Sequence, residues 1–292
     1  MCFKKPMILM MTALLVACGA GGDHSDGVID SSAVTLIKPA NYTLKWSDDF
    51  TAPLSSAWTY DLGAPLLGGT VWGNSEQEYY TNSPSNVYTA SGVLTIQPIA
   101  GVPNVADALN KGLLATSARI NTNTPAYFAA LNTTPYGFYE IRAQLPCVAG
   151  AWPAIWMMGR NGTWPANGEL DIAEWFGKYF ADQPNQIQSG AHFPNHYGNS
   201  SLYAKANISS LCSSFHVFQL HWTANALVMG VDGTEVFRYT KPYGAGVADW
   251  PFDQPAYFLL NVAIGGNLGG AVNLADLPNM KLLVDWVKVW QP

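Results

Sequence analysis

Alternation of apolar and polar residues with a period of two runs through most of the chain, the signature of strands that bury one face. The stretch "YGFYEIRAQLP" sets Phe138, Glu140, Arg142 and Gln144 on one side and Tyr139, Ile141, Ala143 and Leu145 on the other. "GVLTIQP" alternates after a Ser-Gly turn. "FHVFQLHW" and "ALVMGV" flank a short "TAN" connection, and Asp232-Gly233 then supplies a hairpin turn into "TEVFRY". "AYFLLNVAIGG" is a continuous apolar run, as expected of a fully buried strand, and "KLLVDWVKVW" is the last strand. By alternation Trp222, Trp286 and Trp290 fall in the core. Long helical patterns are missing, and many strands punctuated by Gly and Pro predict an all-β sandwich or barrel.

The N-terminus is patterned differently. "MCFKKPMILMMTALLVAC" carries a Lys pair, then an apolar run, then small residues before a Cys. This is the layout of a secretory signal, too short to span a bilayer comfortably. Leu15, Val16, Ala17 and Cys18 resemble the bacterial lipobox, which implies removal of residues 1–17 and lipidation of Cys18. Acyl-chain burial would then hold the protein at about 0.8 kcal/mol per methylene. An ordinary cleaved signal with an incidental Cys is the alternative. Residues 18–40, rich in Gly, Ser and Asp, are expected to be a flexible tether, and residues 41–292 one folded domain without internal repeats. The expected location is that of an exported bacterial lipoprotein, anchored through Cys18 at the outer membrane or cell surface.

Composition narrows the class. Charged residues make up 12% of the 292, against an ordinary ~25%, while 13% are aromatic, so the chain is expected to fold rather than remain disordered. Net charge is −6, and the Arg residues (Arg119, Arg142, Arg160, Arg238) are scattered, which argues against nucleic acid as a partner. With Cys2 in the signal and Cys18 assigned to lipid, Cys147 and Cys212 remain. In an oxidising compartment such a pair is expected to form a disulfide; two separate buried thiols are the alternative.

Against this low charge, "GELDIAEWFG" places Glu169, Asp171 and Glu174 within six positions. A solvated acidic face, a metal cluster and a catalytic carboxylate set all compete. On a helix, at about 100° per residue, the three acids scatter around the axis. On a regular strand Glu169 and Asp171 share a face while Glu174 points away. One β-bulge between Asp171 and Glu174 restores the register and brings all three to one surface. A solvated face fits poorly between "WPANG" and "WFG". Three carboxylates suit a hard cation, but a bound cation would lower the pKa of an acid that must donate a proton.

"WPANGELDIAEWFG" resembles the signature of glycoside hydrolase family 16, in the bulged ExDxxE form of its laminarinase-like β-1,3-glucanases. "WSDDF", "WGNSEQEYYT", "NVYTASGVLTI", "TSARI", "YGFYEIRAQLP", "AWPAIWMMG", "FHVFQLHW", "LNVAIGGNLGG" and "VDWVKVW" follow in family order. The resemblance implies a β-jelly-roll sandwich of two antiparallel sheets with a concave glycan-binding cleft. It also implies a retaining endo-hydrolase of β-1,3-linked or mixed β-1,3/1,4 glucans such as laminarin, with Glu169 as nucleophile, Glu174 as acid/base and Asp171 as helper. No cofactor is expected for catalysis. Alternatives within the resemblance are a transglycosylase and an agar- or carrageenan-type hydrolase. A non-catalytic glycan-binding surface lipoprotein is a further one, although relatives of that kind have lost the acids that are present here.

The same resemblance implies sugar contacts. Trp72, Trp152, Trp156 and Trp164 lie in blocks that line the family's cleft, and Asn74, Glu78 and Arg119 match positions that bind sugar on the non-reducing side. His192 matches a His near the acid/base. Asp285 resembles the carboxylate of a structural calcium site whose other ligands would be backbone oxygens of Asp49 and Gly92. The expected partner is a β-glucan polysaccharide, and the expected state a monomer.

Overall fold

The computed structural model describes residues 35–64, 66–67, 70–71, 73–102 and 112–292, with backbone alone at 66–67 and 70–71. Residues 1–17, where a signal is expected, Cys18, most of the expected tether and Trp72 lie outside the described residues. Two large sheets, antiparallel throughout, face each other across one core. The first, here the cleft sheet, runs in spatial order Leu202–Asn207, Gln186–His192, Glu169–Glu174, Ala151–Gly159, Ala256–Ile264, Arg119–Asn121 and Thr59–Asp61. The second, the outer sheet, runs Thr234–Thr240, Ala226–Val231, His216–Trp222, Gly137–Gln144, Leu282–Gln291, Val93–Ile96 and Val87–Ala90. Thr43–Asp48 also pairs with the Leu282–Gln291 strand. This is the all-β jelly-roll sandwich that the alternation and the resemblance imply.

The alternation works as a packing code. On Gly137–Gln144, Tyr139, Ile141 and Ala143 point into the core while Glu140, Arg142 and Gln144 stay half-buried on the outer face. Ile155, Met157, Phe258 and Leu260 meet them from the cleft sheet, each with no exposed surface, and each such side chain contributes about 1.5–3 kcal/mol. Two hairpins turn on residue pairs with positive φ, Asp232-Gly233 (50°, 80°) and Ser91-Gly92 (52°, 74°). This geometry matches the right-handed twist of the strands that it joins.

Among the described residues, packing reaches ahead of Asn41: Thr35 bridges Thr234, and Leu36 N–H donates to Gly233 O at 2.6 Å. The cause is Phe138, an apolar residue on the outward side of its strand, which Leu36 and Val228 cover. Trp286 and Trp290 are not core residues. Arg142 pairs with Trp286 and Ala143 with Val284, so Asp285 is an extra residue in the last strand. That bulge keeps Val284, Val287 and Val289 inside and turns both indoles outward, under Lys288 at 4.0 Å and Lys38 at 4.9 Å. Trp222 is buried as expected.

Cys147 and Cys212 are disulfide-bonded, with Cα atoms 5.4 Å apart. The bond ties the end of Gly137–Gln144 to the start of its neighbour His216–Trp222.

Candidate active site

The acid strand carries the bulge that its spacing requires. Against Ala151–Gly159, Asp171 pairs with Trp156, Ala173 with Ile155 and Glu174 with Ala154, leaving Ile172 unpaired. The register breaks between Asp171 and Glu174 on the other side as well. Leu170, Ile172 and Ala173 therefore enter the core while Glu169, Asp171 and Glu174 line one cleft. Gly168, just before the strand, has φ +76°, and a Cβ there would lie 2.8 Å from the Phe252 ring. Glycine is needed at that position on both counts.

Each glutamate has its own indole donor. Trp164 Nε1–H donates to Glu169 Oε2 at 2.5 Å, and Trp152 Nε1–H donates to Glu174 Oε1 at 3.0 Å. His192 Nε2 lies 3.3 Å from Asp171 Oδ2. Burial and then the charge of Asp171 push Glu169 up to about 8, against the pull of His192 and the Trp164 N–H. Burial and Asp171 lift Glu174 well above the ordinary carboxylate range. Burial alone would depress His192, but the hydrogen bond and charge of Asp171, joined by Glu169 and Glu174, raise it to about 9.

That proton bears on the metal alternative. Glu169, Asp171 and His192 offer atoms within 4.8 Å of one another, close enough to hold a cation. Metal ligation requires a neutral imidazole, whereas these carboxylates favour imidazolium. The donor set is built to hold a proton.

On the Arg119 side the floor is a hydrogen-bonded chain. Arg119 Nε pairs with Asp61 Oδ2 at 2.8 Å, and its guanidinium lies 4.8 Å from the centroid of Trp156. Trp156 Nε1–H donates to Asn261 Oδ1 at 2.8 Å, and Asn261 Nδ2–H to Tyr80 Oη at 3.2 Å. Asn74 lines the cleft and donates from its backbone N–H and Nδ2 to Glu76 at 3.1 and 3.2 Å. Trp152, Trp156, Trp164, Arg119 and His192 all reach the cleft, as the sequence reading has them.

Glu78 does not. It has no exposed surface, and its Oε2 accepts from Ile264 N–H at 2.6 Å beneath the floor. Burial and the neighbouring charge of Glu76 push it up to about 8. The acid that reaches the cleft from this motif is Glu76, two residues earlier. Asn261, Gln188, Tyr203 and Lys205 also line the cleft, but they come from blocks that carry no local signal for it.

The calcium expectation meets an ion pair. Asp285 binds the Arg142 guanidinium, which in turn lies 4.8 Å from the Phe215 ring centroid. Asp49 spends its carboxylate on Thr51, at 2.7 Å from the hydroxyl, although its backbone oxygen does approach Gly92. Calcium requires several oxygen ligands, with carboxylates to balance its charge. Here a cation of the protein already holds the single carboxylate of the set, so these residues do not fit the ion.

A cleft of about 1980 Å³ surrounds the acids. This exceeds the roughly 300–1,000 Å³ of a small-molecule pocket and suits a polymer. Paired glutamates on one face of such a cleft define a glycoside hydrolase, and the chain belongs to the glycosyl hydrolases of family 16, whose family model matches residues 74–288. It is 32% identical to a beta-glucanase of Rhodothermus marinus over 96% of this chain and 93% of that protein. It is 30% identical to glucan endo-1,3-beta-glucosidase A1 of Niallia circulans over 86% of this chain, which spans only 38% of that longer relative. Among solved structures it matches a non-specific endo-beta-1,3(4)-glucanase of the same family, co-crystallised with 1,3-beta-D-cellotriosyl-glucose, at TM-score 0.77 and 33% identity. That match covers 88% of this chain and 98% of the other.

Proposed function

We propose that this protein is a retaining endo-glycosidase of β-1,3-linked or mixed β-1,3/1,4 glucans, with Glu169 as nucleophile and Glu174 as general acid and base. The observation that carries the reading is the one-residue bulge at Ile172, with both glutamates on the same cleft face and in different environments. A double displacement needs one carboxylate ionised and the other protonated at the same pH. Burial and Asp171 raise both acids, Glu169 to about 8 and Glu174 well above the carboxylate range, while His192 and one indole N–H each favour the charged form. Glu169 attacks the anomeric carbon as Glu174 gives its proton to the departing oxygen, and a covalent glycosyl-enzyme results. Glu174, now a carboxylate, takes a proton from water, whose oxygen then displaces Glu169. Asp171 and His192 form an ion pair beside the nucleophile that disperses its charge.

The β-glucan assignment draws on the relatives' activities and on the lack of a strongly basic cleft. Its test is a polysaccharide panel read by product chromatography, with laminarin as the expected substrate. Glu169→Ala should lose hydrolysis and keep laminarin binding; full turnover in that variant would remove the nucleophile assignment. Glu174→Ala should keep activity only on substrates with good leaving groups, since protonation is then dispensable.

The lipobox resemblance supports an anchored protein, exported and lipidated at Cys18, acting as a monomer on polymer outside the cell. Cys18→Ser should release it from the membrane fraction; retention there would remove the anchor reading.

A further inference from the structure

We infer that Tyr197 is a positioning residue for the reaction: its ring holds the Trp164 indole in the orientation that hydrogen-bonds the nucleophile, without itself touching substrate. This role rests on the glycosidase reading above and adds a residue to it.

The two indole donors are not equally supported. Trp152, which serves Glu174, packs against the core and meets Phe176 edge-on at 6.1 Å. Trp164, which serves Glu169, is 47% exposed. A half-exposed side chain keeps several rotamers open unless its neighbours remove them. Two rings stand against Trp164: His192, with centroids 6.3 Å apart, and Tyr197, at 5.5 Å and an interplanar angle of 84°. The second is the edge-to-face arrangement that aromatic pairs prefer. Asp171 holds His192 in place, and a pinned loop holds Tyr197.

The loop is fixed at several points. Phe193, with no exposed surface, stacks on Tyr239 at 5.1 Å and meets Phe252 edge-on at 5.6 Å. Phe193 N–H donates to His196 O at 2.8 Å and His196 N–H to Phe193 O at 2.7 Å, closing a tight turn with Pro194 at its second position, where a fixed φ is favoured. Asn195 ties this turn to the neighbouring loop, donating from its N–H to Ala248 O at 3.1 Å and from Nδ2 to Asp249 Oδ1 at 2.6 Å. Tyr197 N–H then donates to Ser200 Oγ at 3.3 Å, and the Ser200 hydroxyl to Tyr197 O at 2.9 Å. The backbone that carries the Tyr197 ring is therefore held on both sides.

Placement separates a support from a sugar contact. His196, Gly198, Asn199 and Ser200 line the cleft, but Tyr197 among them does not, and its ring lies against Trp164 instead. Trp164 does line the cleft, and its Nε1–H reaches Glu169 Oε2 at 2.5 Å. In the attacking state this bond goes to a carboxylate, and it weakens steeply once donor and acceptor lose alignment. A ring that never meets the sugar thus acts on the nucleophile's charge. The other groups that act on Glu169 come from elsewhere: Asp171 and Glu174 from its own strand, His192 from Gln186–His192 and Tyr257 from Ala256–Ile264. His196, on the loop itself, has its Nδ1 3.2 Å from Ser200 O.

The test is steady-state kinetics of the full chain on the polymer that the panel shows the wild type to cut. Tyr197→Ala should lower kcat/KM about three- to tenfold. The acid limb of its pH profile, which reports ionisation of the nucleophile, should move up by roughly half a unit, because a carboxylate that loses a donor holds its proton more tightly. Tyr197→Phe, which keeps the ring, should restore both. In a Trp164→Phe background, where the indole N–H is gone, adding Tyr197→Ala should change kcat/KM by less than about twofold. Losses that multiply in the double variant, a rise in KM with an unmoved pH profile, or a loss that tracks a fall in Tm would overturn the positioning role. Full turnover in Glu169→Ala would remove the nucleophile assignment and this role with it; an inactive Glu169→Ala together with multiplying losses removes this role alone.

Discussion

The acid strand and the last strand each carry a one-residue bulge, and the two leave their carboxylates in opposite states. At Ile172 the extra residue gathers Glu169, Asp171 and Glu174 into a cleft where His192 stands 3.3 Å from Asp171. At Asp285 the extra residue turns a carboxylate outward onto the Arg142 guanidinium. Near this second bulge Glu140 is also satisfied, accepting from Gln219 at 3.0 Å and Trp290 at 2.9 Å. One backbone device thus serves two purposes. On the outer face charges are neutralised and the surface is stable; in the cleft, like charges are crowded and buried, which is what shifts their proton affinity.

The same acid-to-amide change on each face separates the two cases. Glu174→Gln removes the proton donor and should lower kcat on laminarin by about 10²–10⁴-fold. It should leave thermal stability above neutral pH unchanged or improved, because a buried acid is replaced by a neutral isostere. A loss of activity that tracks a loss of folding would place Glu174 with the structural acids.

Next in size is the staple beside the outer sheet. Replacing Cys147 and Cys212 with Ser should cost about 2–5 kcal/mol in denaturant unfolding, with the cleft chemistry retained at low temperature.

Glu78 sharpens the comparison from below the cleft floor. Its value in the fold, about 8, stands above the usual 4.5. The stability that it contributes is complete below about 4.5 and lost as pH rises through 8. Glu78→Gln should therefore flatten part of the fall in Tm between acid and mildly alkaline pH, measured by calorimetry. Glu76, Glu169, Glu174 and His192, all raised, contribute to the slope that remains.

The smallest effect belongs to the outer ion pair, about one-third exposed on both sides. Asp285→Asn should change stability by no more than about 1 kcal/mol and leave kcat untouched. EDTA should not move Tm; a clear drop, restored by calcium, would show that Arg142 yields its carboxylate to the ion.

Much of this was legible along the chain. Period-two patterning read most strands of the outer sheet, whereas in the cleft sheet only the apolar run at Ala256–Ile264 and the acid strand were legible; the Asp232-Gly233 pair marked its hairpin, and the 169, 171, 174 spacing demanded a bulge where one exists. These features are local, decided within a few residues by backbone geometry and by which side chains must avoid water. Trp286 and Trp290 were misplaced because nothing in "VDWVKVW" signals an extra residue; its cause is the register with Arg142 and Ala143, more than a hundred positions away. Glu78 was misjudged for a similar reason. Asn74 and Glu76 of its motif line the cleft, but Glu78 is drawn beneath the floor by the N–H of Ile264, a residue nearly two hundred positions away.

The chain order therefore dictated most strands of the outer sheet, the Asp232-Gly233 turn and which acids can meet. Which carboxylates end up crowded and which neutralised depended on partners brought in from distant strands. A charge's energy is set by everything within a few ångströms of it, and that neighbourhood exists only once the two sheets have closed.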